Sequence, residues 1–229
     1  MTTLEELQAR AGIAFRDASL LRRALTHHSY LNEHPEEPED NERLEFLGDA
    51  VLDFLSGSML YNRFPEMSEG QLTRLRSALV RTEQLAAFAR RLGIGPAIRL
   101  GKGETDAGGH HRESVLCATF EAIVGALYID SGLEAVKQFA EPLFMPAAAA
   151  VVEQQTTVDA KSKFQEWAQA ELSHTPRYKT VSEEGPDHGK LFSVEVRVNG
   201  ELFGAGTGRS KQAAAQAAAM DALTKAGAA

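Results

Sequence analysis

Only one cysteine, Cys117, occurs among the 229 residues. That excludes an internal disulfide and a cysteine-built zinc site, and it fits a reducing compartment such as the cytoplasm. No apolar run of membrane-spanning length is evident and no charged-then-apolar leader opens the chain. The expectation is a soluble, cytoplasmic protein with no membrane partner. The glycine and Lys-Ser/Thr spacing of a phosphate-binding loop is also missing from Gly101-Lys102-Gly103-Glu104, which reads with Asp106 to Gly109 as flexible loop. Nor is there a basic excess. The net charge is −8, which taken alone argues against a nucleic-acid partner. The deficit is uneven, however: residues 158–229 hold nine basic and nine acidic side chains, leaving 15 basic and 23 acidic in the remainder. An acidic part binds a polyanion when metal ions offset its carboxylates, so net charge does not decide the partner.

What is present centres on Asn41-Glu42-Arg43-Leu44-Glu45-Phe46-Leu47-Gly48-Asp49, which opens a helical pattern continuing through Val51, Leu52, Phe54 and Leu55. On a helical wheel Glu42, Glu45 and Asp49 fall within about 60° of one another, with Asp53 extending the stripe. Leu44, Leu47, Val51, Phe54 and Leu55 gather opposite. Acids three and four residues apart repel, so the stripe either faces water or holds something positive. A second helix, predicted over 115–130, is apolar nearly all round and carries Glu121 in its middle. A buried carboxylate there is either paired with an arginine, Arg43 or Arg112, or bound to metal. Together the two helices suggest a carboxylate site for magnesium or manganese.

The other segments frame these two. Leu4 to Leu7 and Leu20 to Leu25 read as short helices, the second capped by Asp17 or Ser19. His27 and His28 are poor joint metal ligands, since neighbours on a helix point in different directions. Residues 34–40 form an acidic, proline-punctuated loop. Ser68 starts a helix through Val80, on which Arg74 and Arg76, with Arg81 just beyond, are either phosphate contacts or surface charges. Thr82 caps another helix that runs to Arg91 and is closed by Gly93. A third helix, 133–144, is broken by Pro142 and Pro146, and 147–157 is the most plausible linker. Beyond it come a helix over 163–172, alternating strands at 178–182 and 191–198, an Asn199-Gly200 hairpin turn into 201–206, and an alanine-rich helix from Ser210 to Lys225. The order is α-β-β-β-α.

These motifs carry a family resemblance. Asn41 to Asp49 resembles the signature stretch of bacterial ribonuclease III, supported by Ala24 to Tyr30, Gly101 to Glu104 and Arg112 to Leu116. The C-terminal part resembles a double-stranded-RNA-binding domain through Gly185-Pro186-Asp187-His188, Gly204 to Gly208 and Ser210-Lys211. The resemblance implies an all-α endonuclease domain at 1–146, the linker at 147–157, and a small α+β RNA-binding domain at 158–229. It implies a homodimer that hydrolyses both strands of duplex RNA, such as rRNA and mRNA precursors, leaving 5′-phosphates, 3′-hydroxyls and short 3′ overhangs. Glu45, Asp49 and Glu121 would be metal ligands for Mg2+, with Mn2+ as a substitute and no other cofactor. Glu42 would join the catalytic group, and Glu69 would lie near the RNA path. On the binding domain Lys211 would contact phosphate, Gln165 and Gln169 would reach 2′-hydroxyls across one minor groove, and His188 would reach the next.

The chain also departs from the pattern. The family carries an aspartate three residues before the second-helix glutamate, on the same face; here that residue is Ala118. One carboxylate of the implied cluster is missing, which implies an inactivated or weakened member that cleaves poorly while still binding duplex RNA. Gln212 and Ala215 similarly stand where a second basic residue and a glutamate are common, implying fewer neutralised phosphates and a shallower salt dependence.

Overall fold

The computed structural model describes residues 3–186 and 190–228, with the backbone alone for 154–159. Two compact units divide at Ala149 and Ala150. The first is helical. Short α1 (Leu4–Ala11), α2 (Ala18–Ala24) and α3 (His28–Leu31) lead to α4 (Glu42–Arg63), α5 (Glu69–Val80), α6 (Thr82–Arg91), α7 (Lys102–Asp106) and the part of the long α8 (Glu113–Leu172) that precedes residue 150. Local chemistry sets the ends. Asp17 accepts from the Ser19 amide to cap α2, while Ser68 and Gln71 form a capping box at α5. α6 starts without a side-chain cap, because Thr82 is its first residue and extended Arg81 precedes it, so the expected threonine cap does not form.

The core of this unit is a leucine and phenylalanine cluster. Phe88 and Phe120 approach to 5.9 Å between ring centres and Phe88 and Phe144 to 5.4 Å, with Leu44, Leu52, Leu60, Leu75, Leu79 and Leu85 buried. α8 leaves helical geometry only at Gly132 (φ 80°), which ends the second predicted helix where expected. Pro142 and Pro146 do not break it, contrary to expectation. Each proline removes one backbone hydrogen bond. The turns they occupy bury Phe139, Ala140, Leu143, Phe144 and Ala148, and that burial offsets the loss. The helical backbone also runs through 147–157. The expected flexible loop at 100–109 instead contains α7, fixed where Glu33 accepts from the Lys102 amide at 2.8 Å and Ser29 Oγ accepts from the Gly101 amide at 3.0 Å. By length and apolarity the stretch Glu113–Glu153 would cross a bilayer, contrary to the expectation of no such run. Most of its apolar residues, Val115 to Leu127 above all, are instead buried in the helical core.

The second unit contains an antiparallel sheet, β1 (Arg177–Glu184), β2 (Leu191–Val198) and β3 (Glu201–Gly208), in that order, followed by α9 (Lys211–Lys225). Asn199 and Gly200 both have positive φ, 51° and 88°, as the two-residue hairpin requires. Val194, Val196 and Val198 pack with Phe164 and the alanines of α9. The alanines let the helix lie flush on β3: a Cβ on Gly206 would come within 2.2 Å of the Ala218 nitrogen.

Candidate active site and RNA interface

Glu42 and Glu45 stand in the first turn of α4, where the helix dipole favours negative charge. Asp49 follows one turn on. What the wheel could not show is why Glu121, on another helix, joins them. α4 and α8 cross with their backbones in contact: a Cβ on Gly48 would lie 1.8 Å from the Glu121 carbonyl oxygen, and one on Gly125 would lie 2.2 Å from that of Leu44. Two glycines in helix interiors therefore set the distance between the carboxylates.

The carboxylates act on one another electrostatically. Burial first, then the charges of Asp49 and Glu45, push the Glu121 carboxyl up to about 7. Glu45 is also raised, by burial and then by Glu42 and Asp49. The groups that shift Glu121 include no arginine. Arg112 is paired with Glu104, and Arg43 is exposed. The salt-bridge alternative thus finds no partner among the described residues. The buried Cys117 thiol, one turn before Glu121 and itself pushed up to about 12 mainly by burial, donates to the carboxylate.

Ala118 is half-buried on the same turn. At the edge of the stripe, His28 Nδ1 lies 3.6 Å from Glu42 Oε1. His27 and His28 are not neighbours within a helix: His27 caps α3 and His28 is its first residue, so their rings meet at 4.0 Å. Exposed Glu69 begins α5 and is not among the groups shifting Glu45 or Glu121.

The crowding predicts a pH signature for the metal-free protein. Glu121 binds its proton more tightly when folded (about 7) than at the ordinary value of 4.5. Between those values the native state holds more protons, so stability falls as pH rises through that window and stays low above it. Glu121→Gln removes the penalty. In chelator at pH 8 the variant should be about 1–2 kcal/mol more stable than the parent, after allowance for solvent screening, and the gap should close toward pH 4.5. Urea denaturation at both pH values reads this directly. No gain at pH 8 would mean that the cluster is already compensated.

On the second unit, Gln165 and Gln169 are exposed one turn apart on α8 and line a shallow groove with Ser162, Glu166 and Ala170. Lys211 is the first residue of α9, behind Ser210, whose side chain accepts from the Ala213 amide. Its ammonium is not free: Nζ lies 2.6 Å from Glu183 Oε1 and 5.6 Å from the centre of the Phe192 ring. His188 lies outside the described residues.

The chain matches a Ribonuclease-III-like family model over residues 17–148 and a double-stranded RNA binding motif over 160–225. The chain belongs to the ribonuclease III family. Among its relatives, Ribonuclease 3 of Roseiflexus sp. (strain RS-1) is 48% identical over 224 residues, 96% of this chain and 94% of that one. Ribonuclease 3 of Listeria welshimeri is 44% identical over 226 residues, 98% of each. The crystallised nuclease domain of ribonuclease III from Campylobacter jejuni is 38% identical and covers 63% of this chain and 98% of its own, with a TM-score of 0.59. The class is that of the double-strand-specific endoribonucleases.

For a ribonuclease III the donor chemistry of Glu45, Asp49 and Glu121 suits a hard divalent cation: all three offer carboxylate oxygens, and burial, then neighbouring acids, raise the proton affinity of Glu45 and Glu121. The set is nevertheless incomplete. Among the described residues no three His, Cys, Asp or Glu side chains converge closely enough to hold an ion, and Ala118 offers no oxygen. Sequence reasoning missed Gly48, Gly125, Cys117 and Glu183. Only the glycines left a signal, since each costs a helix interior about 1 kcal/mol against alanine and so marks a close approach.

Proposed function

We propose that this chain binds double-stranded RNA as a homodimer and that its metal-dependent phosphodiester-hydrolysing centre is weakened by Ala118. The observation that carries the reading is the uncompensated carboxylate group across the Gly48–Gly125 crossing, with a methyl group at position 118 beside it. Glu45, Asp49 and Glu121 would hold Mg2+, or Mn2+ in its place. Bound by these carboxylates, such an ion would supply Lewis-acid activation of water and of the phosphodiester. Glu42, next to His28, orients groups at the rim of the site, and Glu69 lies toward the RNA path.

Residues 158–229 would read the duplex by shape, with Gln165, Gln169 and His188 toward minor grooves and Lys211 toward phosphate. The nuclease domain is assigned to 1–146 and the linker to 147–157; the substrates are rRNA and mRNA precursors in the cytoplasm. The second reading, a duplex-RNA-binding protein that does not cleave, is favoured by Ala118 itself. Filter binding with duplex RNA, single-stranded RNA and duplex DNA, followed by incubation of the duplex in magnesium, tests both. The expected result is preference for duplex RNA with slow cleavage. Lack of that preference would defeat both readings, and rapid cleavage would defeat the weakened-centre assignment.

An exposed apolar surface supports the homodimer. Phe46 is 81% exposed and Ile129 53% exposed, and both line one groove; Phe54 and Leu133 line another. Large apolar side chains left in water at this density mark a protein contact. Phe46→Asp is expected to weaken dimerisation by about 2 kcal/mol, roughly 30-fold in Kd, the loss typical of a central aromatic anchor. Sedimentation equilibrium measures the shift. An unchanged dimer would remove Phe46 from the interface.

A further inference from the structure

We infer that Glu183 holds Lys211 in competition with RNA phosphate and thereby sets the electrostatic share of this chain's affinity for duplexes. The inference rests on the reading of residues 158–229 as the RNA-binding part. Lys211 is the only cation in the first turn of α9, since Gln212 and the alanines at 213–215 follow it. Its ammonium lies 2.6 Å from Glu183 Oε1.

The sheet fixes this pair. Glu183 on β1 stands opposite Phe192 on β2, and the Lys211 ammonium lies 5.6 Å from the Phe192 ring centre. The lysine thus meets a carboxylate and an aromatic ring carried by paired residues of neighbouring strands. Lys211, with Lys190 adding to it, holds the Glu183 carboxyl below its usual range, so that carboxyl is ionised at neutral pH. Side-chain exposures of 62% for Lys211 and 40% for Glu183 leave both accessible to a strand of phosphates.

A phosphate reaching Lys211 must displace the carboxylate, and the freed Glu183 then faces the backbone with like charge. While the pair persists, Lys211 neutralises no phosphate and releases no counterion from the RNA. Glu183→Gln therefore removes the competitor and strengthens the Lys211 contact with phosphate.

The test compares full-length Glu183→Gln, Glu184→Gln, Lys211→Gln and the Glu183→Gln/Lys211→Gln pair against the parent on one RNA duplex, across a salt series and without divalent metal. Glu184, the next residue on β1, removes the same charge without touching the Lys211 pair. Glu183→Gln should bind about two- to fivefold tighter at low salt, the worth of an exposed ion pair. The slope of log K against log salt should steepen, by at most about 0.9, the worth of one phosphate contact fully made. Lys211→Gln should weaken duplex binding by the parent and cancel the whole gain in the Glu183→Gln background.

Equal gains from Glu184→Gln and Glu183→Gln, or an unchanged slope, would overturn the competition. So would a gain from Glu183→Gln that persists when Lys211 is also replaced. Absence of duplex binding by the parent would instead sink the RNA-binding reading and this inference with it. Circular dichroism on each variant assures that the folds compared are the same.

Discussion

Replacing one methyl group by a carboxylate, Ala118→Asp, is expected to raise magnesium-dependent cleavage of a long RNA duplex by at least about 100-fold. Loss of outer groups that merely orient metal ligands costs 10–100-fold, and a ligand itself should cost no less. Position 118 lies three residues before Glu121 on α8, the spacing at which helical side chains meet, and it is half-buried beside the same cluster. Duplex affinity should stay within about twofold, because the change neither adds nor removes a phosphate-binding cation.

A second readout separates ligation from general electrostatics. A fourth carboxylate beside Glu45 and Glu121, whose proton affinity burial and neighbouring acids already raise, should lower the melting temperature in chelator. Magnesium should then restore more stability to the variant than to the parent, with about 2.7 kcal/mol available when the free ion is 100 times its Kd. If both proteins cut at similar rates, the oxygen missing at position 118 is dispensable and the metal-site assignment fails in its details. If neither cuts while both bind duplex, the protein acts as a binder.

How far these features were legible in the sequence depended on how local their physics is. The stripe of Glu42, Glu45 and Asp49 follows from helical periodicity alone. The Asn199-Gly200 turn follows from the positive φ that two-residue hairpins demand. Glu121 stood out because one carboxylate in an otherwise apolar helix needs an explanation.

Features that depend on contacts between elements distant in sequence were hidden. Nothing in residues 100–109 alone announces α7, which is held by Glu33 and Ser29 from a separate segment. Pro142 and Pro146 read as helix breaks because their local cost is visible and the burial of Phe139 and Phe144 is not. Lys211 stands at the start of a helix, as the sequence pattern indicates, but its partner lies on β1 and only the folded sheet brings it there. The carboxylates themselves were recognisable as candidates; the spacing between the helices that carry them was not.

That spacing makes glycine substitution the other large expected effect. Gly48→Ala should destabilise the nuclease domain by about 3 kcal/mol or more, at the upper end for overpacking, because the added Cβ would lie 1.8 Å from a backbone oxygen of α8. A side chain can rotate away from such a clash; a helix backbone must translate. Gly125→Ala meets α4 in the same way, 2.2 Å from the Leu44 oxygen.

Gly57→Ala on the same helix is the control, since its Cβ would meet nothing closer than Arg76 Cδ at 3.9 Å. There alanine's better helix propensity should act alone and stabilise by about 0.5–1 kcal/mol. Urea melts of the three variants measure the contrast. In whatever fraction stays folded, Gly48→Ala should also lower the Glu121 proton affinity, because separating α4 from α8 moves Asp49 and Glu45 away and admits water. Carboxyl NMR titration reads that shift without reference to cleavage. A Gly48→Ala protein as stable as the parent, with the Glu121 titration unmoved, would mean that the helices do not cross in backbone contact. The carboxylates would then owe their proximity to something other than these two glycines.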